Sequence, residues 1–166
     1  FIGKRSLARN WRDSIERKIM PPLKTGQTVM TPGRTIGEGD IALFAGLVGD
    51  FTPIHVDETF AQASPHKSRI AHGPHSMATA IGMATQTGLF GERVIGLVNL
   101  NWDFSGAVKI GDTIRSKVTV EAVRPTSKEG RSLATFAFEV LNQRDEQIQR
   151  GRMMVIVRSD EAREAV

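Results

Sequence analysis

The sequence predicts an α+β fold in which a long antiparallel sheet covers one buried helix. Residues 74–87 carry apolar and small side chains nearly all round and stop before Gly88, so they are predicted to form a buried helix. Downstream, four segments alternate apolar and polar residues and are separated by turn residues. Because a curved sheet is the most economical cover for a buried helix, the two observations together predict a sheet wrapped around it.

Four short elements are predicted ahead of the central helix. Pro32-Gly33 interrupts the first of them, and Gly39-Asp40 caps the second. In chain order they are a broken strand over residues 28–35, a helix over residues 41–48, a short helix over residues 57–63 and a polar loop over residues 64–68.

The predicted strands place apolar side chains at every second position, which puts those side chains on one face of the sheet. The positions are Val98, Leu100, Trp102 and Phe104, then Ile114, Val118, Val120 and Ala122, then Ala134, Phe136, Phe138 and Val140, and finally residues 153–157. Turns are predicted at Gly111-Asp112 and over residues 128–130 and 142–146.

Length and composition indicate one globular domain. The chain has 166 residues, of which 40% are hydrophobic and 24% are charged. We expect a basic extension over residues 1–24, the domain over residues 25–158 and a polar tail over residues 159–166. The lack of cysteine excludes thiol chemistry and fits a reducing compartment, so a cytoplasmic protein is expected. No apolar run approaches the length of a membrane span, so a membrane partner is not expected. The basic residues are spread out and not interleaved with aromatic residues, so nucleic acid is not expected as a partner either.

The most distinctive stretch begins with Gly-Asp-Phe-Thr-Pro-Ile-His at residue 49 and ends with Ile-Ala-His-Gly at residue 73. Pro53 fixes its own φ and pushes Thr52 toward extended geometry, so residues 50–55 are predicted to be a bent loop and not a helix. Such a loop can bring Asp50 and His55 to one point, where they could hold and deprotonate a water. Taken singly, Asp50 could merely cap a turn and His55 could be a structural histidine.

Gly73 and Pro74 predict the start of the central helix, because proline suits the first helical position and glycine allows close backbone approach. The first amides of a helix lack internal partners and carry the positive end of its dipole, so they would polarise a carbonyl oxygen. A water activator facing a carbonyl polariser suits the addition of water to a double bond conjugated to a carbonyl.

The two motifs together resemble the MaoC-like dehydratases, the R-specific enoyl-CoA hydratase family of hotdog-fold proteins, from about residue 27 to about residue 158. The resemblance implies a hotdog fold, an antiparallel sheet wrapped around a long central helix, in a homodimer or higher homo-oligomer. It also implies that Asp50 and His55 are catalytic and that the Gly73 amide faces a thioester carbonyl. The family has Asn-Pro where this chain has Thr52-Pro53, and some members carry serine at the position of Ile81.

The implied activity is the reversible addition of water to a trans-2-enoyl thioester carried on coenzyme A or on an acyl carrier protein. The net charge of +4 suits either carrier, and equally an ordinary basic surface. No cofactor is expected, because hydration changes no net oxidation state. We assign the substrate-binding surface to Pro53, Ile54, His72 and Pro74. Four basic residues could contact the phosphates of coenzyme A or be ordinary surface charges: Lys67, Arg69, Arg93 and Lys109.

Three alternatives stay open at this stage. The four histidines His55, His66, His72 and His75 suggest a metal site, but nearby carboxylates lack ligand spacing and cysteine is absent, so no metal is expected. The chain could instead be a hotdog thioesterase, but thioesterases of this fold tend to place an acid on the central helix or its neighbour, and residues 74–87 contain none. The departures at Thr52 and Ile81 leave open a non-catalytic subunit that only binds acyl thioesters.

Overall fold

The computed structural model describes residues 22–159, so most of the predicted N-terminal extension and of the polar tail lies outside the described residues. The elements in chain order are β1 Thr28–Met30, β2 Arg34–Thr35, α1 Glu38–Val48, α2 Pro53–Val56, α3 Glu58–Ala63, α4 Gly73–Gln86, a 3₁₀ helix Gly91–Arg93, β3 Val94–Phe104, β4 Thr113–Pro125, β5 Arg131–Leu141 and β6 Gln147–Arg158. The α+β fold class is confirmed. No helix within residues 22–159 is long and apolar enough to cross a membrane.

All strand pairs of the sheet are antiparallel, and their spatial order is β1-β4-β5-β6-β3, with β2 also pairing with β4. Strands β4, β5 and β6 are joined by the two tight connections that the sequence predicted. Helix α4, the predicted central helix, packs against β4. The strand β3, which follows α4 in the chain, forms an outer edge of the sheet.

The predicted alternation of apolar residues is confirmed on β4 and β5. Seven of these positions are buried: Ile114, Val118, Val120, Ala134, Phe136, Phe138 and Val140. The register shifts between Val120 and Ala122. Because a bulge moves later side chains to the opposite face, Val123 packs on the core in place of Ala122.

Two helix predictions near the motif need correction. Residues 50–55 were predicted to be a bent loop, but Pro53–Val56 forms one helical turn. Proline at the first helical position loses no hydrogen bond there, and its fixed φ suits the helix, so Pro53 begins the turn instead of preventing it. Helix α1 begins at Glu38 and not at residue 41, because Asp40 reaches back to accept the Gly37 N–H at 2.8 Å and so caps an earlier start.

The prediction that α4 is buried all round is only half correct. Its buried residues are Ser76, Ala80, Met83 and Ala84, which follow helical spacing on one face. Ala78 and Gly82 on the other face are exposed and line a groove of about 370 Å³ against α1. The sheet of one chain therefore covers one side of the helix only.

The two strands that flank the site begin earlier than predicted. Strand β3 starts at Val94 and not at residue 98, and β6 starts at Gln147 and not at residue 153. Because β3 is an outer, bulged strand, its predicted core residues Val98 and Phe104 are about half exposed, at 53% and 49%.

Trp102 and Gly151 form a cross-strand pair in which the indole occupies the space above the glycine. A Cβ on Gly151 would fall 2.0 Å from Cε3 of Trp102. We therefore expect Gly151→Ala to lower the free energy of unfolding by about 1–3 kcal/mol, since the ring must shift. Chemical denaturation measures this change.

The matched control is Gly46→Ala, because a Cβ on this glycine in α1 would meet no atom within 4 Å. It should raise the free energy of unfolding by about 0.5–1 kcal/mol, since alanine loses less backbone entropy than glycine in a helix. Equal stability of the two variants would contradict the packing described for Trp102.

Candidate active site

Asp50 lies in the turn between α1 and α2. Gly49 ends α1 in the left-handed region with φ 76°, which reverses the chain at this point. The Oδ1 atom of Asp50 accepts hydrogen bonds from the Thr52 hydroxyl at 2.6 Å and from the Thr52 N–H at 3.1 Å. These bonds, the hydroxyl first, hold the pKa of the exposed Asp50 carboxyl below its ordinary value. Thr52 thus engages one carboxylate oxygen and leaves Oδ2 to other ligands.

His55 lies on α2 with its ring orientation fixed by a backbone carbonyl. Its Nδ1 is 2.8 Å from the carbonyl oxygen of Ile70. Because a carbonyl only accepts, Nδ1 carries the proton and donates it, and in the neutral ring Nε2 keeps a free lone pair. The loop after α3 therefore selects the tautomer in which His55 can act as a base through Nε2.

His72 is the buried residue that connects the motif's two halves. Its side chain is 2% exposed, and Nε2 donates to the backbone carbonyl of Asp50 at 3.0 Å. The ring stacks on His55, with centroids 3.7 Å apart and an interplanar angle of 26°. His72 also immediately precedes α4. One side chain thus holds the Asp50 turn, the His55 ring and the start of α4 together.

Asp50, His55 and His72 form a compact cluster. One carboxylate oxygen and one nitrogen of each ring lie within 4.8 Å of one another. A water making two hydrogen bonds of about 2.8 Å at a tetrahedral angle spans about 4.6 Å, so such a cluster can hold a water. Within residues 22–159 these three side chains are also the group that could hold a metal ion. The Nε2–H of His72 is engaged by Asp50, which leaves fewer free ligands; the expected lack of a metal stays a prediction.

Gly73 begins α4 and directs an amide away from the helix. The carbonyl oxygen of His72 accepts the Ser76 N–H at 3.2 Å, inside the first turn. Because C=O and N–H of a planar trans peptide point in opposite directions, the Gly73 N–H points outward from the helix end. A Cβ on Gly73 would lie 3.1 Å from Cε1 of Phe104, so glycine lets this aromatic ring approach the backbone closely.

A cavity of about 320 Å³ lies beside these groups. Of the predicted site residues, His55 and Gly73 line it, whereas Asp50, Pro53, Ile54, His72 and Pro74 do not. Its other lining residues are His66, Ile70, Ala71, Ser76, Phe104, Ser105, Gly106, Ala107, Val108 and Gln149. Roles in substrate binding for Pro53, Ile54, His72 and Pro74 stay predictions.

Sequence reasoning missed three of the lining side chains. Ser76 lies within the predicted central helix, one turn beyond Gly73, and Phe104 was predicted only as an apolar residue of a strand. Gln149 was left outside any predicted strand. Had β6 been extended by two-residue periodicity back from Val157, Gln149 would have fallen on its buried face, which is an unusual place for a glutamine.

Comparison with known proteins agrees with this architecture. The family model of the MaoC like domain matches residues 22–137. An (R)-specific enoyl-CoA hydratase from Rhodospirillum rubrum is 43% identical over 116 residues, which cover 70% of this chain and 78% of that protein. The structure of an R-hydratase from Pseudomonas aeruginosa is 30% identical, with a TM-score of 0.71, and the match covers 83% of this chain and 84% of that one.

A Mycobacterium tuberculosis protein described as having a double hotdog fold matches with a TM-score of 0.74 at 22% identity, over 83% of this chain and 43% of that one. This likeness shows the fold alone, and the predicted hotdog fold is confirmed. The family model and the hydratase relative carry the further conclusion, which is that the chain belongs to the MaoC-like domain family.

Proposed function

We propose that this protein is a hydro-lyase that adds water reversibly to a trans-2-enoyl thioester. The observation that carries the proposal is that His55 and the outward amide end of α4 at Gly73 line one cavity, while Asp50 lies in the same cluster as His55. The names of the relatives, which include an (R)-specific enoyl-CoA hydratase and a 3-hydroxybutyryl-CoA dehydratase, support the same reaction class.

Asp50 and His55 activate the water in this reaction. Oδ2 of Asp50 accepts one hydrogen bond from the water, and Nε2 of His55 accepts the other. The water oxygen attacks C3 of the enoyl group while its proton passes to this pair. The pair then returns a proton to C2, so the acid and base are restored at the end of each turnover.

Gly73 stabilises the charge that develops during attack. As the C3–O bond forms, electrons move through C2 to the thioester oxygen, which becomes enolate-like. The Gly73 N–H and the positive end of the α4 dipole face that oxygen, and one such donor is worth about 3–4 kcal/mol of barrier lowering. Phe104, which contacts Gly73, forms the cavity wall beside the thioester.

The thiol carrier binds through cations at the cavity mouth. Of the four basic residues considered from the sequence, Arg69 is engaged by Glu58 and Glu38, each at 2.7 Å, and Arg93 is buried. Lys67 and Lys109 are exposed and adjoin the lining residues His66 and Val108. We assign these two lysines to the phosphates of coenzyme A or of a carrier-bound pantetheine. A cytoplasmic location stays a prediction from the lack of cysteine.

Hydration of crotonyl-CoA, followed by the loss of enoyl absorbance, tests the proposed function. Asp50→Asn and His55→Gln should each lower kcat/KM by about 10²- to 10⁴-fold, because each removes one member of the acid–base pair. Asp145→Asn, at an exposed carboxylate of the β5–β6 hairpin, is the matched control and should keep the wild-type rate.

Full activity in both site variants would refute the roles given to Asp50 and His55. A wild-type protein that releases free thiol from acyl-CoA would instead be a thioesterase. One that binds acyl-CoA without any turnover would be a non-catalytic subunit.

Thr52 lowers the pKa of the Asp50 carboxyl group. Since the Thr52 hydroxyl is the main cause of the lowered Asp50 pKa, Thr52→Val should raise that pKa toward its ordinary value. The acid limb of the kcat/KM–pH profile should therefore move to higher pH, because the carboxylate protonates sooner as the pH falls. Thr52→Ser keeps a hydroxyl donor and should titrate as the wild type does. Coincident acid limbs in the valine and serine variants would contradict this role.

We propose that the active form is a homodimer joined through β3. This strand has 11 residues, and within residues 22–159 its outer edge has no pairing strand. It also exposes four large apolar side chains, Ile95, Leu97, Val98 and Phe104, at 44%, 58%, 53% and 49%. A long, apolar, unpaired edge favours pairing with another strand, and the same edge of a second copy can meet it about a two-fold axis.

Sedimentation velocity over a concentration series tests this assembly. Leu97→Lys should weaken the dimer by at least about tenfold, because it places two like charges near the two-fold axis. The matched control is Met30→Lys on β1 at the opposite edge of the sheet, where the methionine is 48% exposed. A monomeric wild type, or equal dissociation of the two variants, would contradict pairing through β3.

A further inference from the structure

A buried glutamine connects the sheet to the start of α4. Gln149 is 1% exposed and lies on the face of β6 that otherwise carries Met153, Val155 and Val157. Burying a primary amide costs free energy unless its polar atoms are hydrogen-bonded. A polar residue that breaks an apolar pattern and is held by hydrogen bonds is a feature often found at functional sites.

The hydrogen bonds of Gln149 form a chain that ends at Gly73. The indole N–H of Trp102 donates to Oε1 of Gln149 at 3.0 Å. Because an indole N–H only donates, this contact fixes the amide orientation, and Nε2 donates to Oγ of Ser76 at 2.6 Å. The Ser76 hydroxyl in turn donates to the carbonyl oxygen of Gly73 at 2.9 Å. All three bonds run in the same direction, so each one strengthens the next.

Ser76 contacts both peptide groups that flank the Gly73 Cα atom. Its hydroxyl donates a hydrogen bond to the Gly73 carbonyl, and its backbone N–H donates one to the His72 carbonyl at 3.2 Å. The His72 carbonyl and the Gly73 N–H belong to the same peptide group. The direction of that N–H is therefore set by Ser76, whose own hydroxyl is held by Gln149.

The other end of this hydrogen-bond chain, at Trp102, is fixed in the sheet. The indole of Trp102 packs against both hydrophobic clusters of the core and occupies the space above Gly151. Ser76 and Gln149 both line the cavity that Gly73 faces. The chain thus begins at a well-packed ring and ends at the peptide groups beside the thioester site.

We propose that Gln149 is a positioning residue, which sets the direction of the Gly73 amide through Ser76. The inference rests on the proposed hydratase function, because it concerns the amide that polarises the thioester carbonyl. Gln149 acts through Ser76 and not on the reacting atoms. Its loss therefore weakens an interaction that matters most in the transition state, and kcat falls while KM changes little.

The variant Gln149→Met tests the proposal, because it keeps the side-chain length but removes both the acceptor and the donor. With crotonyl-CoA we expect kcat to fall by roughly tenfold and KM to stay within about twofold, as for a misdirected catalytic group. Gln147→Met is the matched control, since Gln147 lies exposed at the start of the same strand and should keep wild-type kinetics.

A chromophoric ligand separates positioning from a merely structural role. The absorbance band of 4-(dimethylamino)cinnamoyl-CoA moves to longer wavelength when its thioester carbonyl is polarised. We expect a red shift with the wild type and with Gln147→Met, and a smaller shift at saturating ligand with Gln149→Met. A role limited to stability would lower the Tm and leave the shift of the bound ligand unchanged.

Two further variants keep the test decisive if Gln149→Met folds poorly. Gln149→Glu keeps the acceptor for the Trp102 N–H but, once ionised, offers Ser76 no donor, so it should also reduce the red shift at a pH where its carboxyl is ionised. Ser76→Ala should reduce the shift to the same extent, and adding Gln149→Met should lower it no further, because both residues act in one chain.

The outcomes distinguish this proposal from the proposed function. An unchanged red shift in folded Gln149→Met and Gln149→Glu would overturn the positioning role, even if the wild type hydrates crotonyl-CoA. No red shift with the wild type would overturn it as well. A wild-type shift that both variants reduce, without hydration of crotonyl-CoA, would support the positioning role and refute the hydratase assignment.

Discussion

The geometry of the candidate site depends on the placement of one buried imidazole. The ring of His72 holds the carbonyl of Asp50, stacks on His55 and immediately precedes α4. These contacts join three segments, which are the turn at Asp50, the helix α2 and the start of α4. Since a ring buried to 2% exposure has little freedom to move, the acid, the base and the helix end share one rigid reference point. This is why His72 matters to the site although it does not line the cavity.

The sheet supplies the second support of the site. Strands β3 and β6 carry Trp102 and Gln149, and these reach α4 through Ser76. The helix end is therefore held on one side by the short helices before it and on the other side by the sheet behind it. Catalysis by preorganised dipoles requires such support, because a donor that must reorient during the reaction loses much of its effect.

Sequence reasoning singled out Asp50, His55 and Gly73 because the chemistry expected of them follows from local pattern; the structure places Asp50 and His55 in one cluster, and His55 and Gly73 line one cavity. Two motifs close in sequence, a proline and a helix start carry most of that information. It did not find Gln149, because periodicity was followed only over the strongly apolar end of β6, and the strand begins six residues earlier. It also misjudged the loop at Pro53, where a fixed φ is equally compatible with a turn and with the first residue of a helix.

Burial was the property least accessible from the sequence. Alternation predicted the core positions of β4 and β5 correctly except at Ala122, beyond the bulge, since both strands lie inside the sheet and turn one face to the core. The same reasoning overestimated the burial of Val98 and Phe104, because nothing in their local pattern shows that β3 lies at the edge of the sheet. Small residues all round α4 likewise indicate close approach by neighbours, but not whether those neighbours belong to the same chain.

Phe104, at the end of β3, connects the outer edge of the sheet to the candidate active site. The strand that has no partner on its outer edge within residues 22–159 also provides the ring against which Gly73 packs. A contact that stabilises this edge therefore also stabilises the cavity wall beside Gly73. If two copies pair through that edge as proposed, activity per protein should fall on dilution below the dissociation constant of the dimer, while Asp50 and His55 themselves stay unchanged.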